Sequence, residues 1–197
     1  MKKSLVLMVA LLVCGAPLSL AHGLIDAGTP PSATYAPVDQ KSHAAKTPKT
    51  SGTVAVIYHV NGVNAELKFS PAVLADIFLG RISSWSDGRI EKDNPGVRLP
   101  NENINVVHRA DANGTTAVFT NYLSTASRDW AGGPGRGTTV SWPKGIGGKG
   151  DRAVADMVRQ LNGSIGYVEA STALLAQVPQ ALVKSAAGTG SWVNTLH

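Results

Sequence analysis

Past residue 52 the apolar positions fall in short blocks separated by glycine, proline and polar turns, and the blocks alternate between strand-like and helix-like character. Thr53 to Val60 (TVAVIYHV) is dense in β-branched and aromatic residues and predicts a buried strand. Asn61-Gly62 predicts a turn into a second short strand, Ala65 to Phe69. Ser70-Pro71 supplies a capping residue followed by proline at the first helical position, Val73, Leu74, Ile77 and Phe78 share one helical face, and Gly80 ends the helix. A loop with Trp85 and the turn Asn94-Pro95-Gly96 follows. Ile104 to His108 predicts a strand, Arg109 to Asn113 a polar turn, and Gly114 to Leu123 a helix that turns Val118, Phe119 and Tyr122 inward. Residues 131–150 form a glycine-rich loop broken by Val140 to Trp142. A helix over Asp151 to Leu161, a strand over Ser164 to Val168, a helix over Ala170 to Ala176 and a last strand over Ala181 to Val183 complete the pattern. Strands alternating with helices predict an α/β domain with a mostly parallel sheet.

The first 52 residues differ in kind. Lys2 and Lys3 precede an apolar run from Leu5 to Val13, and Ser19-Leu20-Ala21 puts small residues where a signal peptidase inspects them. Residues 1–21 therefore predict an export signal cleaved near Ala21, whose apolar run is too short to span a bilayer, and a periplasmic or secreted product. Val13 before Cys14 is bulkier than a lipoprotein site wants, and one cysteine in 197 residues excludes a disulfide framework. Residues 22–52, rich in Pro, Ala, Thr and Ser, predict a flexible tail, leaving residues 53–197 as the folded domain. With 43% hydrophobic and 16% charged residues, wholesale disorder is excluded. The formal net charge of +5 falls to +3 once Lys2 and Lys3 are removed, which suits a small anionic ligand at least as well as a nucleic acid.

The candidate chemistry sits in Val106 to Thr116, VVHRADANGTT. A strand, a tight polar loop and a helix start present unpaired N–H groups at the positive end of the helix dipole, where an oxyanion is favoured. Backbone N–H groups of Gly114, Thr115 and Thr116, the hydroxyls of both threonines and the Asn113 amide are candidate donors. Arg109 adds a full charge and a planar fork matched to two oxygens, and Asp111 is placed to hold that fork. The same pattern also describes plain capping of a helix by Asn113 beside a surface Arg–Asp pair.

In these residues the chain resembles the phosphate-binding protein of bacterial high-affinity phosphate ABC transporters. The stretches LADIFLGRISSWSD, NPGVRLP, INVVHRADANGTTAVFTNYLS, VSWPKGIGGKGD and GSIGYVE follow the family's order and spacing over Leu74 to Val168. The resemblance implies one lobe of a periplasmic-binding-protein-like α/β fold, with Arg109 as the charged clamp on phosphate, Asn113, Gly114 and Thr115 as donors, and Asp111 and Thr116 in support. It implies inorganic phosphate or a similar oxyanion as ligand, an ABC permease as membrane partner, and binding without chemistry. Two departures stand out. The family's Asp-Gly-Ser-Gly-Thr reads Asp111-Ala112-Asn113-Gly114-Thr115 here, so an amide replaces a hydroxyl, and Ala112 would be strained if that turn needs positive φ. The family's first lobe, which carries the remaining donors and an acidic acceptor, has no counterpart in this sequence. A half-site implies weak phosphate binding by the chain alone, and either a second chain that supplies the missing lobe or, alternatively, a truncated, non-transporting secreted interaction domain.

Other signals are weaker. The loop Gly145 to Gly150 fails as a phosphate-binding nucleotide loop, because Pro143 stands where its first glycine belongs and Gly150 follows Lys149. His22 would become the first mature residue, yet His43, His59, His108 and His197 lie at no diagnostic spacing from it, and no metal or other cofactor is expected. No G-x-S-x-G elbow or acidic pair marks a catalytic centre, and no enzyme activity is expected. Four scattered tryptophans without basic interleaving argue against nucleic acid and for partial burial.

Overall fold

In the computed structural model, residues 52–197 are described, and the expectations for the export signal, for Cys14 and for nearly all of the tail fall outside them. Strand β1 (Val54–His59) sends Val54, Val56 and Tyr58 to one face and Ala55 and Ile57 to the other, all buried, as expected of a strand covered on both sides. Together with β3 (Asn105–Arg109), β4 (Ile146–Gly148) and β5 (Ser164–Glu169) it makes a four-stranded sheet in the order β1-β5-β3-β4, after a second, two-stranded sheet is set apart. Strands β3, β4 and β5 are parallel, and β1 runs antiparallel to β5.

Helices cover both faces. On one side lie α1 (Pro71–Phe78), with Val73, Leu74, Ile77 and Phe78 buried, and α3 (Gly114–Ala126), which buries Phe119, Tyr122 and Leu123 against Val106, Ile165 and Tyr167. On the other side lie α5 (Asp151–Gln160) and α6 (Ala170–Ala176), whose Val154, Ala155, Val158, Ala173 and Ala176 pack on Ala55, Ile57, Val107 and Val168. This is the mixed α/β sandwich that the alternation of elements predicts. Among the described residues no helix is long and apolar enough to cross a membrane.

Four details depart from the sequence expectation. Strand β2 (Lys68–Phe69) is two residues long and does not fold back on β1; it pairs in parallel with β6 (Leu182–Val183). The Tyr58 hydroxyl causes this, since it accepts from Leu67 N at 3.1 Å and donates to Ala65 O at 2.8 Å. A side chain thus satisfies backbone groups that a hairpin ladder would have used. Two short helices are added, α2 (Gly88–Asp93) in a stretch expected to be a loop and α4 (Arg128–Gly132) running from unassigned residues into the glycine-rich loop, each started by a side chain, Asp87 or Ser127, that accepts from the turn's own N–H. Strand β4 lies inside the glycine-rich loop, where apolar density gives no strand signal. Ser70 precedes α1 without a side-chain cap; its N–H instead donates to Asp93 Oδ2 at 2.7 Å.

Two of the tryptophans, Trp85 and Trp130, are fully buried, while Trp142 and Trp192 are half-buried.

Candidate functional site

Parallel strands end together, and here β3, β4 and β5 finish with Arg109, Gly148 and Glu169 along one edge of the sheet, the edge where α/β folds place ligands. Two helices begin there, α3 at Gly114 and α5 at Asp151.

Arg109 is 7% exposed although it carries a full charge. Its Nε donates to Asp111 Oδ1 at 2.9 Å and its Nη2 to Asp111 Oδ2 at 2.5 Å, a bidentate pair formed two residues along the chain. Nη1 lies 2.7 Å from Asp151 Oδ2, so a second carboxylate meets the buried guanidinium from the start of α5. The carboxylates are themselves anchored: Asp111 Oδ1 accepts from Gly150 N at 2.9 Å and Asp151 Oδ1 from Glu169 N at 3.2 Å. Arg109 beside Asp111, helped by the Gly150 N–H, holds the Asp111 carboxyl well below the usual carboxylate range. Hydrogen bonding to Asp111, with Asp151 behind it, raises Arg109 above its ordinary value despite burial. Gly150 adopts φ +87°, a conformation that disfavours any side chain, and this bend delivers its N–H to Asp111.

At the start of α3 the donors divide. Asn113 caps the helix by accepting from Thr116 N at 2.8 Å, while its Nδ2 donates to Asp111 O at 2.7 Å and its backbone N–H to Thr138 O. Thr116 is buried and its hydroxyl pairs with Tyr167 Oη at 2.7 Å, so neither its N–H nor its hydroxyl faces an incoming anion. Gly114 and Thr115 carry N–H groups with no hydrogen-bond partner among the described residues, Gly114 exposed and Thr115 half-buried. Ala112 does not have positive φ, and its replacement of the family's glycine introduces no strain of that kind.

Beneath this turn Tyr167 accepts from Arg109 N at 3.3 Å and stacks on Phe119, and burial pushes its hydroxyl up to about 12. Trp142 lies between Tyr167 and His108, stacked on the imidazole at 4.8 Å. Burial lowers the His108 pKa, against the opposing hydrogen bond at Arg109 O. Lys149 is exposed. Among the described residues no group of three His, Cys, Asp or Glu side chains could hold a metal ion.

Thus the turn brings Arg109, Asp111, Asn113, Gly114, Thr115 and Thr116 together, as the sequence predicts, but gives Asn113 and Thr116 mainly capping and bracing bonds. Sequence reasoning missed Asp151, Gly150 and Tyr167. The only signal for Asp151 was an acidic residue in the first turn of a helix, which by itself reads as favourable interaction with the helix dipole.

The α/β lobe thus gathers one arginine, two carboxylates and two open N–H groups at the ends of its parallel strands. Residues 33–194 match the family model described as PBP superfamily domain, and the chain belongs to that family. The chain is 45% identical over 147 residues to the phosphate-binding protein PstS of Xylella fastidiosa, an overlap covering 74% of this chain and 40% of that protein. It is 44% identical over 149 residues to PstS of Methanocaldococcus jannaschii, covering 72% of this chain and 38% of that one. Among solved structures, a high-affinity periplasmic phosphate-binding protein with phosphate bound, PfluDING, superposes with a TM-score of 0.52 at 26% identity, covering 74% of this chain and 39% of that one. The chain spans about two fifths of the length of the curated relatives it matches.

Proposed function

We propose that this chain binds inorganic phosphate, or a closely similar tetrahedral oxyanion, non-covalently at the start of α3. One observation carries this: the N–H groups of Gly114 and Thr115, which have no hydrogen-bond partner among the described residues, lie in the same short turn as the buried Arg109. An oxyanion there receives backbone donors, the helix dipole and a charged donor from one loop. The Thr115 hydroxyl and the second Nδ2 proton of Asn113 add to the set, with Asp111 and Thr116 as braces. The relatives' names, phosphate-binding proteins all, support the choice of phosphate.

The chain is exported by residues 1–21, its folded domain starts near residue 53, and it acts as the substrate-binding part of an ABC uptake system for phosphate, delivering the ion to a membrane permease and catalysing no reaction. Because Gly114 is exposed, an anion held from this side alone stays hydrated on the other. Tight binding therefore needs a second surface, from another chain or from residues outside the described ones, to remove it from water. A second reading, a secreted interaction domain with weak or no phosphate binding, is favoured by the double pairing of Arg109 with Asp111 and Asp151, which can serve the fold alone.

Isothermal titration of the purified chain with phosphate, with sulfate as competitor and Arg109→Ala as control, separates the two. Saturable phosphate binding, weaker than micromolar and lost in Arg109→Ala, supports the receptor. A folded chain that gives no heat at millimolar phosphate favours the interaction domain.

A further inference from the structure

Arg109 is shared by two carboxylates, and only one of them belongs to its own turn. Asp111 takes Nε and Nη2 in a bidentate pair, while Asp151 comes from the start of α5, forty-two residues further along the chain, and meets Nη1 at 2.7 Å. Asp151 is not free to swing aside, because its other oxygen accepts from the Glu169 N–H at the end of β5. The cluster thus holds one positive and two negative charges around a guanidinium that is 7% exposed, a local net charge of −1. An anion that approaches Nη1 meets a tethered carboxylate already in contact with that nitrogen.

We infer that Asp151 is an affinity-setting positioning residue of the anion site: it competes with the bound oxyanion for Arg109 Nη1 and holds affinity below what the arginine and the α3 donors would otherwise give. This rests on the proposed binding of an oxyanion at Arg109. The effect is one of charge. Asparagine at position 151 keeps an oxygen that can accept from Glu169 N but removes the negative charge. A unit charge about 4 Å away is worth roughly a factor of five even at the dielectric of bulk water. Glutamate keeps the charge and should leave affinity close to that of the unaltered chain. If Asp151 merely braced the loop, Asp151→Asn would loosen Arg109 and weaken binding.

The test is titration of the full chain and its Asp151→Asn, Asp151→Glu and Arg109→Lys variants with phosphate and, separately, with sulfate, at low ionic strength and neutral pH. In parallel, nitrogen-15 NMR of the ligand-free chains follows the Arg109 guanidinium, assigned by its loss in Arg109→Lys. We expect Asp151→Asn to bind both anions about fivefold more tightly, Asp151→Glu to match the unaltered chain, and the Arg109 Nη protons to exchange faster in Asp151→Asn than in Asp151→Glu. Unchanged or weaker binding in Asp151→Asn, while Arg109→Lys abolishes binding, overturns the competition and leaves the anion site standing. Binding undiminished in Arg109→Lys, or absent in the unaltered chain and Asp151→Asn alike, overturns the anion site itself, and the competition with it.

Discussion

Asp111 gains its low pKa only in the folded chain, so it couples stability to acid. Its folded pKa is depressed by Arg109 and by the Gly150 N–H. The stabilisation is therefore fully present above the ordinary aspartate value near 3.8 and fades as pH falls below it towards the folded value. Urea midpoints measured from pH 6 down to pH 2 should drop in the unaltered chain and drop less steeply in Asp111→Asn; equal slopes would show that the pair is screened by solvent. Tyr167 makes a second point at this scale. Its buried hydroxyl serves Thr116 Oγ1 and Arg109 N, and Tyr167→Phe keeps the ring stack on Phe119 while stranding both partners. That should cost about 1–3 kcal/mol in urea unfolding, the range for a buried group left unsatisfied. A loss below a few tenths would mean that water replaces the hydroxyl. Arg109 and its loop were legible in the sequence because they are contiguous. Asp151 and Tyr167 were not, because they reach the same point only after parallel crossovers have laid β4 and β5 on either side of β3.

At the scale of elements, the site depends on how closely α5 approaches the sheet, since its first residue is Asp151. Two glycines set that distance. A Cβ on Gly166 in β5 would sit 3.0 Å from Val107 O and 3.1 Å from Val158 Cγ2, and one on Gly148 in β4 would sit 3.1 Å from Val154 N, Val154 Cγ2 and Met157 Sδ. Gly166→Ala should therefore destabilise the chain by about 1–3 kcal/mol, the usual cost of forcing atoms into a filled interior. It should also tighten anion binding, because α5 pushed off the sheet withdraws Asp151, the competitor for Arg109 Nη1. Paired urea and phosphate titrations read the two effects, and a variant as stable as the unaltered chain would show that α5 shifts freely. The helices were readable where an amphipathic period runs for two turns or more, as in α1, α3 and α5. The period fails for α2 and α4, which are barely a turn long and depend on local caps, and for β4, whose Ile146-Gly147-Gly148 has almost no side chains to show a strand. The expected hairpin failed for another reason: Asn61-Gly62 does turn the chain, but the Tyr58 hydroxyl claims the returning backbone.

Across the molecule, β1 would be an open sheet edge if β5 were its only neighbour, and an open edge invites pairing with other chains. Distant segments cover it. Val54 N donates to Leu196 O at 2.9 Å and Leu196 N to Val54 O at 2.7 Å, while Tyr58 N donates to Pro179 O and Ala181 N to Val56 O. Leu196 is 4% exposed, within the same apolar cluster as Phe69 and Trp85, so its side chain holds the strap that its backbone forms. Leu196→Ala should cost about 2–5 kcal/mol, as for other buried leucines cut to alanine. Its local signature follows from the bond pattern. Amide exchange at Val54, whose partner is carried by the loosened segment, should speed up more than exchange at Tyr58, whose partner Pro179 lies seventeen residues before Leu196. Uniform acceleration at both amides would mean that the strap opens only when the whole sheet unfolds, and that residues 179–196 belong to one cooperative unit with β1.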